Sequence, residues 1–270
     1  MRPLHSSLSP YTFVAFVSAL APAVASAQTP HPEDPAARME SALLWTQSSG
    51  EWRALCYQGW NIARVQLDAL LPQPRTKPPA VVVDIDETVL DNSPYHAGLI
   101  VAGDGSIPKW ADWINSASAQ PIPGALEFLR YAVSRGVEVF YITNRTVAEE
   151  PATLENLEKF GFPQVDKDHV LVRTAEGSKD RRRATVAEQH DILLLCGDNL
   201  GDFAGFDDRT VEDRNAMTDE LRGQFGRRFI VFPNTFVGDW QSALYRAPTR
   251  QPGETREQQR RKHLRPWHGK

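Results

Sequence analysis

Two short stretches concentrate carboxylates where chemistry could use them. Asp84-Ile85-Asp86-Glu87-Thr88 closes the nearly unbroken apolar run Ala80 to Ile85, and Gly197-Asp198-Asn199-Leu200-Gly201-Asp202 follows the apolar run Ile192 to Cys196. In an open parallel sheet, ligands bind beyond the carboxyl ends of the strands. If both runs are strands, Asp84, Asp86, Asp198 and Asp202 reach one rim. Carboxylates crowded on one rim repel, so the group persists only where a cation neutralises it or some acids stay protonated. With oxygen donors only and no His or Cys beside them, the fitting cation is Mg²⁺, which takes one or two carboxylates and keeps positions for water and phosphate. The plainer reading is that each Asp caps a turn or helix. That suits a lone Asp better than a pair at i and i+2 matched by another pair after a second strand.

The elements that must hold these ends follow from pattern. Residues 34–71 carry apolar side chains at helical spacing, opened by Asp34-Pro35 and interrupted at Ser48-Ser49-Gly50, which predicts a helical hairpin or bent helix. A Pro-rich connector, residues 72–79, ends it. From Ala80 onward strands and helices alternate: helices are predicted over 122–135, 151–160, 178–189 and 213–224, and strands over 137–143, 169–173, 192–196 and 229–232. Alternation of this kind requires right-handed crossovers and predicts an α/β core with a central parallel sheet. The expected organisation is an N-terminal helical segment at 34–77, a core at 78–246 with a helical insert near 101–118, and a polar, basic tail at 247–270 that reads as a solvated terminal helix.

Composition narrows the function classes. The 270 residues are 41% hydrophobic and 24% charged, with a formal charge of -4, so no global positive field argues for a nucleic-acid polymer or an anionic membrane as partner. Arg2 and His5 precede the apolar run Tyr11 to Val24, followed by Ala25-Ser26-Ala27, the pattern of a cleavable signal peptide at 1–27. The apolar run is shorter than the roughly 20 residues of a spanning helix and contains Pro22. A short disordered leader at 28–33 would follow, and the mature chain would be periplasmic or secreted, without stable membrane insertion. No cysteine lies near the cleavage point to carry a lipid. Cys56 and Cys196 fall in a helical pattern and a strand, which favours two buried thiols over a bridge.

Asp84-Ile85-Asp86-Glu87-Thr88-Val89-Leu90-Asp91-Asn92-Ser93-Pro94-Tyr95 resembles the nucleophile motif of the haloacid dehalogenase (HAD) superfamily, in the form found in bacterial class C nonspecific acid phosphatases of the lipoprotein e 5′-nucleotidase group. The similarity continues through Leu44-Trp45, Ser49 to Leu55, Tyr141-Ile142-Thr143-Asn144-Arg145, Ser178-Lys179 with Arg182-Arg183, Gly197 to Phe203 and Pro233-Asn234. It runs in order through most of the chain beyond residue 27. The implied fold is a HAD-like Rossmannoid α/β core with a smaller helical domain, and the implied reaction is Mg²⁺-dependent hydrolysis of small phosphomonoesters, including nucleoside 5′-monophosphates.

The resemblance also implies roles. Asp84 would be the nucleophile that becomes an aspartyl phosphate, and Asp86 the general acid and base. Asp84, the main-chain carbonyl of Asp86, Asp198 and Asp202 would hold the metal. Thr143 and Asn144 would contact phosphoryl oxygens, and Lys179 would steady their charge, a role that spacing alone could not separate from its neighbours Arg181, Arg182 and Arg183. Arg145 stands as either a second phosphate contact or an ion-pair partner. Trp110 would stack on the leaving group, whereas Trp113 equally reads as a packing residue. A second family aromatic falls here on Val237, and Phe236 is the candidate replacement. A homodimer is possible by the same analogy. Two alternatives use the same scaffold: phosphotransfer to an acceptor alcohol, and a catalytically silent storage or surface-binding protein. The sequence contains no Arg-His-Gly, Cys-x5-Arg or Gly-x4-Gly-Lys-Ser/Thr motif that would support other phosphate chemistries.

Overall fold

The computed structural model describes residues 35–102, 109–175, 177–246 and 253–269. The expected leader segments 1–27 and 28–33, part of the insert and part of the tail lie outside the described residues.

The chain starts with helices α1 (Pro35–Ser48) and α2 (Gly50–Leu70). The break between them is the predicted one: Ser49 is extended, and its side chain accepts a hydrogen bond from the Trp52 N–H at 3.1 Å, an N-cap for α2. Strand β1 (Pro79–Val83) follows, then β2 (Leu90–Asp91), α3 (Ser93–Ala102), α4 (Trp110–Asn115), β3 (Gln120–Pro121) and α5 (Ala125–Ser134). Next come β4 (Glu138–Thr146), α6 (Glu150–Phe160), β5 (Val170–Arg173), α7 (Asp180–Gln189), β6 (Asp191–Gly197), α8 (Val211–Glu220), β7 (Phe229–Val231), α9 (Asp239–Ala243) and α10 (Arg256–Lys262).

Five strands form a parallel sheet in the order β5-β4-β1-β6-β7. The central strand β1 pairs Val82 with Phe140 on one side and with Leu195 on the other. It is covered on both faces, which is why it reads as a continuous apolar run. Val81 and Val83 join a large core under α2 and α5, with Trp60, Leu67 and Leu129. Ala80 and Val82 join a smaller core with Phe140, Ile142 and Val186 of α7. Chain direction after β1 leads first to β4 on one side and then to β6 on the other. The ends of β1, β4 and β6 therefore surround a topological switch point, where the acidic stretches sit.

Several boundaries differ from the sequence expectation for local reasons. The helix expected from 122 starts at Ala125, because Gln120–Pro121 pairs antiparallel with Leu90–Asp91 and Gly124 turns the chain in a left-handed conformation, φ 88°. The helix expected over 213–224 runs Val211–Glu220, since Thr210 caps it by accepting from the Asp213 N–H. Helix α3, starting at Ser93, is not among the expected helices. Both cysteines are buried and free, and burial pushes the Cys56 thiol up to about 12.

α2 comes close to the strand that leads to the site because Gly59 has no side chain. A Cβ there would lie 2.7 Å from the ring of Phe232, which is itself held against Trp60 with ring centroids 4.2 Å apart. Gly59→Ala would gain about 1 kcal/mol of helix propensity and lose about 1–3 kcal/mol to overpacking. A net loss of up to about 2 kcal/mol is expected in urea denaturation, and a higher midpoint would show that the ring yields to a methyl group.

Candidate active site

Asp84 is the first residue after β1, and its N–H still bonds to the Cys196 carbonyl at 2.9 Å, so the strand delivers its side chain directly to the rim. The chain then turns sharply. The Ile85 carbonyl accepts from the N–H groups of Val89 and Leu90, each at 2.9 Å, and Glu87 takes a left-handed φ of 60°. This tight loop brings Asp86 to the same rim, facing β4 rather than β6.

β6 supplies Asp198, and the one-turn 3-10 segment Leu200–Asp202 folds Asp202 back beneath the strand end. Gly197 makes this possible: a Cβ at that position would lie 2.3 Å from the Asp202 side chain. The Asn199 N–H donates to Asp202 Oδ2 at 2.9 Å. Asp198 accepts from the side-chain amides of Asn199 at 2.7 Å and Asn234 at 2.6 Å, so the turn after β7 also braces the site. One carboxylate oxygen each from Asp84, Asp198 and Asp202 lies within 4.8 Å of the others.

Lys179, the residue before α7, has its ammonium between Asp84 and Asp202. It contacts both, at 2.6 Å for Asp202. Its basic neighbours do other work. Arg182 donates to the Thr143 carbonyl and to Asn144 Oδ1 at 2.7 Å, and Arg183 donates to the Gly201 carbonyl at 2.9 Å. Position, not basicity, singles out Lys179.

The residues expected at the site divide into two layers. Asp84, Asp86, Asn144, Lys179, Asp198 and Asp202 line one cavity of about 180 Å³, together with Val237 and Asp239. Thr143 and Arg145 are buried behind it. Arg145 grips Asp86 Oδ1 through Nε at 3.0 Å and Nη2 at 2.8 Å, so of its two possible roles the structure contains the ion pair. The Thr143 hydroxyl donates to Asp86 Oδ2 at 3.3 Å. Trp110 and Phe236 are off the cavity wall. Phe236 is buried with its ring against His96 at 5.1 Å, and Trp110 meets Tyr95 edge-on at 5.1 Å. Trp113 packs on the core and donates its indole N–H to Asn92 Oδ1 at 2.8 Å.

Sequence reasoning assigned no role to Asn92, Glu87, Asn199 or Asn234. Glu87 and Asn199 stand inside the acidic stretches themselves, and Asn92 lies four residues past the first of them. Asn234 was signalled only by its place in the family resemblance.

The electrostatics follow from the crowding of the carboxylates. Burial, with the charges of Asp202 and Asp198, pushes the Asp84 carboxyl well above the usual range, against the pull of Lys179. Burial and the charges of Asp202 and Glu87 raise Asp198 to about 7. For Asp86, burial also works upward, but the Arg145 guanidinium and its hydrogen bonds outweigh it and hold the carboxyl below the usual range. Lys179 loses to burial and gains more from Asp202 and Asp84, so it stays charged. Three carboxylates around a single ammonium leave negative charge uncompensated, and clustered hard oxygens fit a divalent cation such as Mg²⁺.

The family described as HAD superfamily, subfamily IIIB (acid phosphatase), matches residues 13–240. Acid phosphatase 1 of Solanum lycopersicum is 31% identical over 135 residues, 46% of this chain and 51% of that protein. The stem 28 kDa glycoprotein of Glycine max is 26% identical over 133 residues, 46% of this chain and 52% of that protein. The chain thus spans about half the length of these plant relatives. The crystal structure of a class C acid phosphatase from Bacillus anthracis with tungstate bound is similar with a TM-score of 0.82 and 44% identity, over 86% of this chain and 99% of that one.

A carboxyl raised from 3.8 to about 7 binds its proton more tightly in the folded chain. The stability this gives is full below the unfolded value and is lost as pH rises towards about 7. A cation must displace that proton, so its binding tightens over the same window. Mg²⁺ is therefore expected to raise the thermal midpoint by several degrees at pH 8 and far less at pH 5. Equal shifts at the two pH values in a thermal melt would contradict this.

Proposed function

Because the chain belongs to the acid phosphatases of HAD superfamily subfamily IIIB, we propose that it is a Mg²⁺-dependent phosphomonoesterase that works through a phosphoryl group carried on Asp84. Its substrates are small phosphomonoesters, nucleoside 5′-monophosphates among them. The observation that carries this reading is the buried Asp84 carboxylate at the end of the central strand, braced by Lys179 and facing a cavity that Asp86 shares.

Asp84 attacks phosphorus in line with the leaving oxygen, so that one difficult displacement becomes two easier ones. Lys179 favours the ionised form of that carboxylate against burial and offsets charge on the phosphoryl oxygens. The Thr143 hydroxyl, buried behind the cavity, donates to Asp86 Oδ2 at 3.3 Å, a long O–H···O contact that it would exchange for one to a phosphoryl oxygen. Asp86 gives a proton to the leaving oxygen and then takes one from water. Its grip by Arg145 favours the carboxylate, which suits the second step, and acid conditions restore the proton that the first step needs. Asp84, Asp198, Asp202 and the Asp86 carbonyl would hold the divalent ion, whose charge lets an anionic ester approach an anionic nucleophile.

Trp110, half-buried against Tyr95, offers an aromatic face for a base or aryl group, while Val237 contributes only an aliphatic wall to the cavity. Tungstate in the Bacillus anthracis relative is a tetrahedral oxyanion, which supports a phosphate-sized group as the ligand here. On the leader pattern of residues 1–27 we also propose that the chain is exported to the periplasm or medium. Among the described residues no helix is long and apolar enough to cross a membrane.

Asp84→Asn is expected to lower kcat on an aryl phosphate with Mg²⁺ by about 10³-fold or more. The thermal midpoint of the metal-free variant is expected to hold or rise, since one crowded charge is removed. Chelation of the wild-type chain should abolish turnover, and added Mg²⁺ should restore it. Equal rates for variant and wild type would remove the proposed nucleophile.

A further inference from the structure

We infer that Trp113, outside the cavity, is a positioning residue for proton transfer, acting through Asn92 on Asp86. The inference rests on the assignment of Asp86 as general acid and base above.

The Asn92 side chain is wholly buried. Its Oδ1 accepts from the Trp113 indole N–H at 2.8 Å, and its Nδ2 donates to Asp86 Oδ1 at 2.9 Å. An indole N–H can only donate, so the amide oxygen must face α4 and the amide NH₂ must face Asp86. The backbone N–H of Asn92 is also fixed, on Glu87 Oε1 at 2.9 Å. With Arg145 on its other side, Asp86 Oδ1 receives three donors at 2.8–3.0 Å. Oδ2 receives only long contacts, at 3.3 Å from Thr143 and 3.4 Å from Arg145.

A carboxyl proton goes to the oxygen with fewer and weaker donors, because the other lone pairs are occupied. Oδ2 is therefore the atom that carries the moving proton. In the first step an Asp84 carboxylate oxygen bonds to phosphorus as the bond from phosphorus to the leaving oxygen breaks, that bond's electron pair stays on the leaving oxygen, and the Oδ2 proton joins it. In the second step water gives a proton back to Oδ2 as its oxygen bonds to phosphorus, and the Asp84 carboxylate departs with the pair from its own bond to phosphorus. Without the indole N–H the Asn92 oxygen loses its donor and the amide is held only through Nδ2, on Asp86 Oδ1 and at 3.4 Å on Glu87 Oε2; its bond to Oδ1 loosens, Oδ1 keeps only the two Arg145 donors, and the difference between the two carboxylate oxygens narrows.

The test is leaving-group dependence of kcat/KM, which reports the first step. A p-nitrophenyl ester needs little protonation of its leaving oxygen; an alkyl ester such as glycerol phosphate needs it fully. Trp113→Phe is expected to lower kcat/KM for the alkyl ester by about tenfold or more, within the 10²–10⁴ that general acid catalysis contributes, and that for the p-nitrophenyl ester by less than about threefold. Asp86→Asn should give the same skew, larger. If Trp113→Phe folds poorly, a benzothienyl analogue of Trp113 introduced by amber suppression keeps the ring shape and removes only the N–H, and should reproduce the skew. Equal losses on both esters, or no loss on either, would overturn the inference. A wild-type chain inactive on both would instead overturn the reading of the site, and this inference with it.

Discussion

Burying several carboxylates beside one ammonium is the constraint around which this structure is organised. Removing an ion from water costs several kcal/mol even after relaxation, and attraction to a partner repays it only with good geometry and full hydrogen bonding. Asp84 and Asp202 meet this through Lys179, and Asp198 through the amides of Asn199 and Asn234. Asp86 meets it through Arg145 and Asn92. What remains uncompensated is concentrated where oxygens of Asp84, Asp198 and Asp202 converge, so this unmet electrostatic need coincides with the proposed reactive group.

The fold supplies this arrangement by convergence from many elements. β1 delivers Asp84, β6 delivers Asp198, and Gly197 lets Asp202 return beneath the strand end. α7 starts at the rim and so places Lys179 there, while Arg183 ties the same helix to the Gly201 carbonyl. Even the N-terminal helices take part: the Trp52 indole N–H donates to the Pro233 carbonyl at 3.3 Å, next to the Asn234 that holds Asp198. A helix that looks peripheral in the chain is thus one hydrogen bond from a residue that holds an Asp of the cluster.

The legible part of the site is the part that depends on strand ends. A buried parallel strand announces itself by an apolar run, and an Asp directly after such a run has its position fixed by the sheet, so Asp84, Asp86, Asp198 and Asp202 could be read as one rim. The order of elements and the central parallel sheet were legible for the same reason. Lys179 was not separable from Arg181, Arg182 and Arg183, because which of four adjacent cations faces the rim depends on where α7 begins. Arg145 could not be assigned because a guanidinium reaches a phosphate or a carboxylate equally well, and only the packing behind β4 turns it onto Asp86. The antiparallel pair β2 and β3, two residues each, left no periodicity to detect. Phe236 carries an aromatic ring one residue from the expected place, but a one-residue shift turned the side chain into the interior, leaving Val237 on the cavity wall.

The decisive measurement is direct capture of the phosphoryl group. The chain is mixed rapidly with an aryl phosphate and Mg²⁺, quenched in acid, and reduced with borohydride, which converts an aspartyl phosphate to homoserine. Peptide mapping by mass spectrometry is expected to find homoserine at position 84. Homoserine at any other position, or none while hydrolysis proceeds, would contradict Asp84 as the group that carries phosphate.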